Sequence, residues 1–509
     1  MNYVIGCDVG SQGTKALLLS LDGELIGEAY AGYEIDYPFP LWAQQPVERW
    51  TNALRDAIRQ LLHTTGVRGD AVQGLALGAQ VEGVVAIDKN GAPLHPAIIW
   101  MDRRAVAQTN ALRAHEDEIF QRTGLNLDAT HVAPKIQWLT ENEPRLSERV
   151  AHFLQPGSYV AFHLTGERAV DYSNASSTLL LDVRTKTWSP EMCAYFNINP
   201  SQLAPVAAAT TPLGTVRPAI ADELGLSPQT RVMIGSGDEH AACVGAGVLT
   251  PGLVGDIIGT AEPVCAASDH LAFDETRLIE THCHADEHQW LLENPGFVSG
   301  GNLRWYRDQF GAAEQHAAQE RGVNAYQILD EGASQIPPGS AGLIFLPCSM
   351  GAMTPTWNDT ARGTFMGFTL AHTRAHFARA ILEGSAYAVR DITDRFQALG
   401  IPLRELRVMG GGARSKLWNQ IKADVTGIPV AVPQTSETTA LGAAFLALVG
   451  VGARSTLQEA SERTVRIVER FTPNPDTQKK YDAAYALYRD TYFTLLPIFA
   501  KSSQPTEYK

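Results

Sequence analysis

Tyr3-Val4-Ile5-Gly6-Cys7-Asp8-Val9-Gly10-Ser11-Gln12-Gly13-Thr14-Lys15-Ala16-Leu17-Leu18-Leu19 opens the chain. An apolar run leads into a carboxylate, a glycine-rich turn, a hydroxyl and a lysine, and a second apolar run leads back. The pattern predicts a buried β-hairpin, and two readings of its turn stay open. In one, the turn holds phosphate: backbone N–H groups at Gly10 and Gly13 approach the oxygens, Thr14 or Lys15 adds donors, and Asp8 orients a hydrated Mg²⁺. In the other, it is an ordinary glycine turn. A Walker A loop is excluded, because G-x-x-x-x-G-K-[ST] leads into a helix and a strand follows here.

Working outward, residues 3–9, 15–20 and 25–35 read as strands, with a turn at Leu21-Asp22-Gly23. Pro46 opens an amphipathic helix that carries Trp50, Leu54, Ile58 and Leu61–Leu62 on one face. Strands return at Val72–Leu77, Val84–Asp88 and Ala97–Trp100. Residues 102–165 and 188–230 read as mostly helical. The pattern then restarts. Val232–Gly235 ends in Gly235-Ser236-Gly237-Asp238, Leu253–Ile258 ends in Gly259-Thr260, and Pro263–Ala267 continues as strand. A helix over about 371–399 stops at Gly400 and Pro402, and strand Leu406–Met409 runs into Gly410-Gly411-Gly412 and another helix. Two halves that each begin with a hairpin carrying a phosphate-type turn point to a duplication. The expected domains are 1–247 and 248–495, with a frayed tail over 496–509.

The totals narrow the classes. A chain of 509 residues exceeds one core, so two domains are the minimum. A net charge of -14 argues against nonspecific nucleic-acid binding. No apolar run reaches membrane-spanning length, and no basic or apolar leader precedes the first strand, so a cytoplasmic protein with no membrane or nucleic-acid partner is expected. The six scattered cysteines read as buried, reduced thiols.

Six motifs stand in a fixed order: the Asp8–Lys15 turn, Trp100-Met101-Asp102-Arg103-Arg104, Lys135-Ile136-Gln137-Trp138-Leu139, Gly235-Ser236-Gly237-Asp238, Gly259-Thr260, and Gly410-Gly411-Gly412-Ala413-Arg414-Ser415. Together they resemble the FGGY family of carbohydrate kinases, and within it the xylulokinase-like branch, over nearly the whole chain. The resemblance implies an α/β fold of two actin-like (ribonuclease H-like, ASKHA) domains around a central cleft. Sugar would bind mainly against the N-terminal domain and ATP with Mg²⁺ mainly against the C-terminal domain, and closure would exclude water. Self-association is common in the family, so a homodimer is an expected state, although no sequence feature sets the stoichiometry.

Residue by residue, the resemblance makes Asp238 the catalytic aspartate, a general base toward the sugar hydroxyl; read locally, a helix N-cap is the favoured role, and the two are compatible. Asp8, Gly10, Ser11, Gly13, Thr14 and Lys15 match the first phosphate loop, with Asp8 and Asp238 as the Mg²⁺ side. Gly259 and Thr260 match the second, where Ala261 lacks the usual hydroxyl and Glu262 is expected to point away from the phosphates. Gly411, Gly412, Ser415 and Asn419 match the adenosine segment; read alone, the glycines are a flexible turn. Trp100 and Asp102 lie on the sugar side, with helix capping an equal role for Asp102. Asn302 is a further sugar contact. Lys135-x-x-Trp138-Leu139 reads as packing.

The sugar side departs from the xylulokinase pattern. Gln80-Val81-Glu82-Gly83 stands where Gln-Met-His-Gly is usual, and Glu239 follows the catalytic aspartate where Asn is usual. Val81 and Glu82 are therefore substrate-side candidates. Glu239 either faces sugar or favours the helix dipole. Carboxylates suit polyol recognition because they accept several hydroxyl donors. His282, Cys283, His284, Asp286 and His288 imitate metal ligands but lack metal spacing, and a solvated hairpin is the expectation. The resulting expectation is an ATP-dependent kinase for D-xylulose or a related pentulose. A linear-polyol kinase is the alternative within the class, and an actin-fold nucleotide-binding protein or pseudokinase is the alternative outside it.

Overall fold

The computed structural model describes residues 2–502. Its first sheet grows from the opening hairpin: β1 (Tyr3–Val9), β2 (Gly13–Ser20) and β3 (Leu25–Gly32) form an antiparallel meander. Helix α1 (Val47–Thr65) then crosses to β4 (Val72–Ala79), which pairs parallel with β1. Trp50, Leu54, Ile58 and Leu61 of α1 are buried, each worth about 1.5–3 kcal/mol as the sheet's cover. Two small helices relevant below, α2 (Val132–Asn142) and α3 (Pro156–Thr165), precede the edge strand β5 (Pro212–Thr215) and its neighbour β6 (Arg231–Met233). The order is β5-β6-β4-β1-β2-β3, and Ser236–Gly237 adds a short parallel pair to β4. Residues 188–230 are less helical than expected: only Pro190–Tyr195 and Pro218–Leu224 are α-helices there. Part of that stretch instead supplies β5 as an edge strand of the sheet.

After α4 (Asp238–Gly245) the same topology is built again. β7 (Leu253–Ile258), β8 (Ala261–Ser268), β9 (Glu280–Cys283) and β10 (Trp290–Val298) are antiparallel. Helices α5 (Gly300–Phe310) and α6 (Arg374–Ala398) lead to β11 (Glu405–Gly410), which is parallel to β7. α7 (Lys416–Thr426), β12 (Val430–Pro433), α8 (Thr438–Gly450), β13 (Ile467–Phe471) and α9 (Pro475–Ser502) complete the chain. The order β9-β10-β8-β7-β11-β12-β13 repeats the first sheet's pattern of an antiparallel meander followed by parallel strands. This is the duplication that the two hairpins announced.

Two findings correct the sequence reading of the termini of these halves. α8, which follows the second sheet in sequence, packs on the first: Ala440 and Ala444 join Val4, Leu17 and Met233 in one core. Its crossing with α4 is a glycine contact, since a Cβ on Gly442 would lie 1.9 Å from the Ala241 carbonyl oxygen. Residues 496–502, expected to fray, continue α9, and Phe499 is buried among the second half's aromatics. Residues 503–509 of that expected tail lie outside the described residues. All six cysteines are buried and unpaired, as expected. Among the described residues no helix is long and apolar enough to cross a membrane.

Candidate active site

Strand register brings the two aspartates together. Asp8 stands opposite Gly78 on β4, and Ser236 stands opposite Gly78 from the other side. Asp238, two residues on, therefore emerges at the same carboxyl end of the sheet, where parallel α/β sheets bind ligands. Asp238 is the first residue of α4, and Gly237 occupies the cap position, so the N-cap reading does not hold. One Asp238 oxygen accepts from the Glu239 N–H at 3.0 Å. Burial pushes the Asp238 carboxyl up to about 6 and, together with the Asp238 charge, pushes Asp8 up to about 8. Among the described residues neither carboxylate has a lysine, arginine or histidine nitrogen within 4.0 Å. Two carboxylates at one end of the sheet with no cationic side chain to neutralise them fit a hard divalent cation such as Mg²⁺.

The first turn is a two-residue hairpin loop closed by Gly10 N–H to the Gly13 carbonyl at 3.1 Å. Ser11 Oγ accepts from the Trp100 indole N–H at 2.7 Å, so the expected phosphate hydroxyl and the expected sugar-side tryptophan share one lip of the cleft. Lys15 donates to the Glu437 carboxylate just before α8, which ties the first hairpin to the second half. Thr14 is fully buried, on the inner face of β2, rather than on the lip with Lys15.

The second half presents two loops at one end, because Ile258 and Gly410 are register partners. Gly259 and Thr260 are exposed, and the Thr260 carbonyl accepts from the Ser299 and Gly301 N–H groups. Glu262 does point away: it is fully buried, accepts from Lys422 Nζ at 2.6 Å and bonds Ser299 Oγ. Lys422 also holds Asp256, so a buried triad joins β7, β8 and α7 beneath the loop. Gly410 has φ 77°, a conformation that favours glycine, and Gly411 is exposed beyond it. Ser415 caps α7, accepting from Trp418 N–H at 3.1 Å. Asn419 is buried, and its Nδ2 holds the Ala413 carbonyl at 2.8 Å; it shapes the glycine loop from behind rather than meeting the nucleotide as expected.

On the acceptor side Glu82 adopts φ 58°, left-handed backbone that costs a non-glycine residue about 1–2 kcal/mol. What holds it there was missed in the sequence. His131, at the N-cap position of α2, places Nδ1 2.7 Å from Glu82 Oε1. Burial would lower the imidazole, yet the Glu82 carboxylate lifts it to about 9, while Glu82, despite its own burial, is held below the usual carboxylate range. Lys135, fully buried, donates to the carbonyls of Glu82 at 2.8 Å and Ile99 at 2.9 Å and also to that of Thr130. The lysine of the expected packing motif thus fastens the Glu82 and Trp100 loops together. A signal was present: a histidine and a lysine four residues apart in an otherwise apolar segment. Val81 packs toward Gly237, beside Asp238.

Glu239 lies half-buried in the first turn of α4, and among the described residues no cationic side chain is within 4.0 Å of it. Burial and the neighbouring Glu293 carboxyl hold it well above the ordinary range, and burial pushes Glu293 up to about 8. Two expected sugar contacts are occupied otherwise. Asp102 is fully buried, accepts from Ala43 N–H at 2.6 Å and pairs with Arg104 at 2.7 Å. Asn302 is buried, its Nδ2 on the Val298 carbonyl and its Oδ1 on Ser349 Oγ at 2.6 Å. The solvated hairpin is also overturned: His282, Cys283 and His284 are buried. β9 is an edge strand of the sheet, yet the first half covers it; Cys283 N–H, for example, donates to Ser176 Oγ at 3.0 Å.

The FGGY family of carbohydrate kinases, N-terminal domain, matches residues 3–245, and its C-terminal domain matches residues 257–451. A xylulose kinase of Bacillus subtilis is 28% identical over 495 residues, spanning 97% of this chain and 97% of its own. A gluconokinase of the same organism is 28% identical over 514 residues, spanning 99% and 96%. The solved xylulose kinase from Rhodospirillum rubrum has a TM-score of 0.89 at 29% identity, covering 98% of this chain and 100% of that one.

Proposed function

This chain belongs to the FGGY family of carbohydrate kinases, and we propose that its acceptor is a neutral ketose, D-xylulose first, with Asp238 as general base. The observation that carries the acceptor class is charge. Glu82 and Asp238 stand on the sugar side with the carboxyls of Glu239, Glu280 and Glu293 within electrostatic range of Glu82, and among the described residues His131 is the cation within ion-pair range of Glu82. An acidic sugar such as gluconate would add a carboxylate to five carboxyl groups, whereas a neutral sugar offers hydroxyl donors to them. Glu82 favours one second reading, a linear polyol, because its remaining lone pairs suit vicinal hydroxyls.

The chain's residues divide the work. Glu82, oriented by His131 and Lys135, accepts from acceptor hydroxyls and sets the sugar's position. Asp238 takes the proton of the attacking hydroxyl at its carboxylate, poised near neutrality by burial. The backbone N–H groups at the tips of the two glycine turns, Ser11 and Gln12 in the first and Thr260 in the second, face the phosphates, while the Gly10 and Gly259 N–H groups close those turns, and the Gly410–Gly412 loop takes the adenosine side. Asp8 and Asp238 would hold Mg²⁺, which when bound with ATP supplies charge neutralisation at the transferred group.

A coupled ADP-release assay over D-xylulose, D-ribulose, xylitol, glycerol and gluconate tests this. Turnover on D-xylulose that falls about 10²–10⁴-fold in Asp238→Asn is expected. Turnover confined to gluconate would overturn the acceptor class, and turnover confined to a polyol would select the second reading.

A further inference from the structure

Behind Asp238 the structure holds a second group of donors of different chemistry. His240 lies on α4, two residues after the aspartate; His282 lies on β9 and Glu293 on β10. One ligand-type atom from each comes within 4.8 Å of the others. The two imidazole rings meet edge to face with centroids 5.6 Å apart, and His282 Nε2 is 3.7 Å from Glu293 Oε2. All three residues are at most 4% exposed. Both ring nitrogens of His240, and Nδ1 of His282, have no hydrogen-bond partner. Buried polar atoms are ordinarily satisfied, so unpartnered nitrogens on two rings that converge with a buried carboxylate ask for a ligand. The electrostatics agree. Among the described residues, no lysine or arginine lies within 4.0 Å of Glu293 or Glu239.

We propose that His240, His282 and Glu293 bind a transition-metal ion, Zn²⁺ by the chemistry of the donor set, at a site separate from the Asp8–Asp238 pair. Two imidazoles and a carboxylate are nitrogen-rich donors of the kind zinc takes and Mg²⁺ does not. Bonds of about 2.0–2.1 Å require the three donor atoms to close to roughly 3.3 Å from one another, a change within side-chain rotation. The site joins α4, which carries Asp238, to the β9–β10 hairpin of the second half. A bound ion would fix the position of the catalytic aspartate across the two halves and offset the charge of the Glu239–Glu293 pair. It is a positioning site and takes no part in the transfer step. It does not depend on which sugar is the acceptor.

The test uses the full chain, purified from zinc-supplemented culture, desalted against a weak chelator and assayed for metal content by plasma mass spectrometry. About one zinc per chain is expected, falling at least tenfold in His282→Gln and in Glu293→Gln. Co²⁺ added to the metal-stripped wild type is expected to give visible absorption bands of a tetrahedral nitrogen–oxygen site that are absent in either variant. Wild-type protein stripped with a strong chelator is expected to melt at a lower temperature and recover on adding Zn²⁺; this readout stays informative if a variant fails to fold. Less than a tenth of an equivalent of metal with no thermal response to Zn²⁺, or full occupancy in both variants, overturns the proposal.

Discussion

Replacing His131 with Gln removes the nearest and largest of the groups that favour the ionised form of Glu82, and the loss has a defined pH signature. In the folded chain Glu82 Oε1 lies 2.7 Å from the ring, and the imidazole titrates near 9 rather than 6.5. At about 1.36 kcal/mol per pH unit, that difference corresponds to about 3 kcal/mol of stability. The sign follows from the direction. The folded histidine holds its proton more tightly than the unfolded one, so its contribution is full below pH 6.5, declines above it and is gone above about 9. Glu82 moves the other way: its contribution is full above 4.5 and is lost as pH falls through its lowered folded value. Wild type minus His131→Gln in unfolding free energy should therefore be largest between about pH 5 and 6.5 and shrink by about 3 kcal/mol toward pH 9.5. Urea denaturation of both proteins across pH 5.5–9.5 reads this directly. The variant should also raise KM for the acceptor about tenfold or more, because Glu82 loses the partner that orients its carboxylate and favours its ionised, stronger-accepting form. A stability difference that stays constant from pH 6 to 9.5 would refute the ion pair as the device that holds Glu82.

Lys422→Met leaves Asp256 and Glu262 buried without their shared cation, and a loss of about 3–5 kcal/mol is expected, measured by denaturant melts; replacing all three with apolar residues should recover much of it. Gly442→Ala drives a Cβ to within 1.9 Å of the Ala241 carbonyl, so α8 must shift from α4; a loss of about 1–3 kcal/mol with a fall in kcat is expected, and an unchanged melting temperature would contradict the close helix contact.

Much of the fold is legible along the chain because the signals are local. β1, β7 and α1 follow from apolar period and turn residues within a few positions, and the repeat of hairpin, glycine turn and parallel strand betrays two copies of one topology. Asp238 and the loops at Gly10–Gly13, Gly259–Thr260 and Gly410–Gly412 stand at strand ends, a placement that is legible because strand and turn are contiguous in sequence. The failures share the opposite property. Asp102 and Asn302 carry the right chemistry in the right segment, yet Arg104 and Ser349 occupy their polar atoms. Glu82 and His131 are 49 residues apart in number and 2.7 Å apart in space. His240, His282 and Glu293 converge from a helix and two strands, and no spacing rule links them. Residue type and order thus settle which groups are available and where each strand ends. Which buried charge meets which partner is settled by the packing of one half against the other, because an interior of low dielectric makes the energy of an ionisable group depend on neighbours within a few ångströms, whatever their distance along the chain.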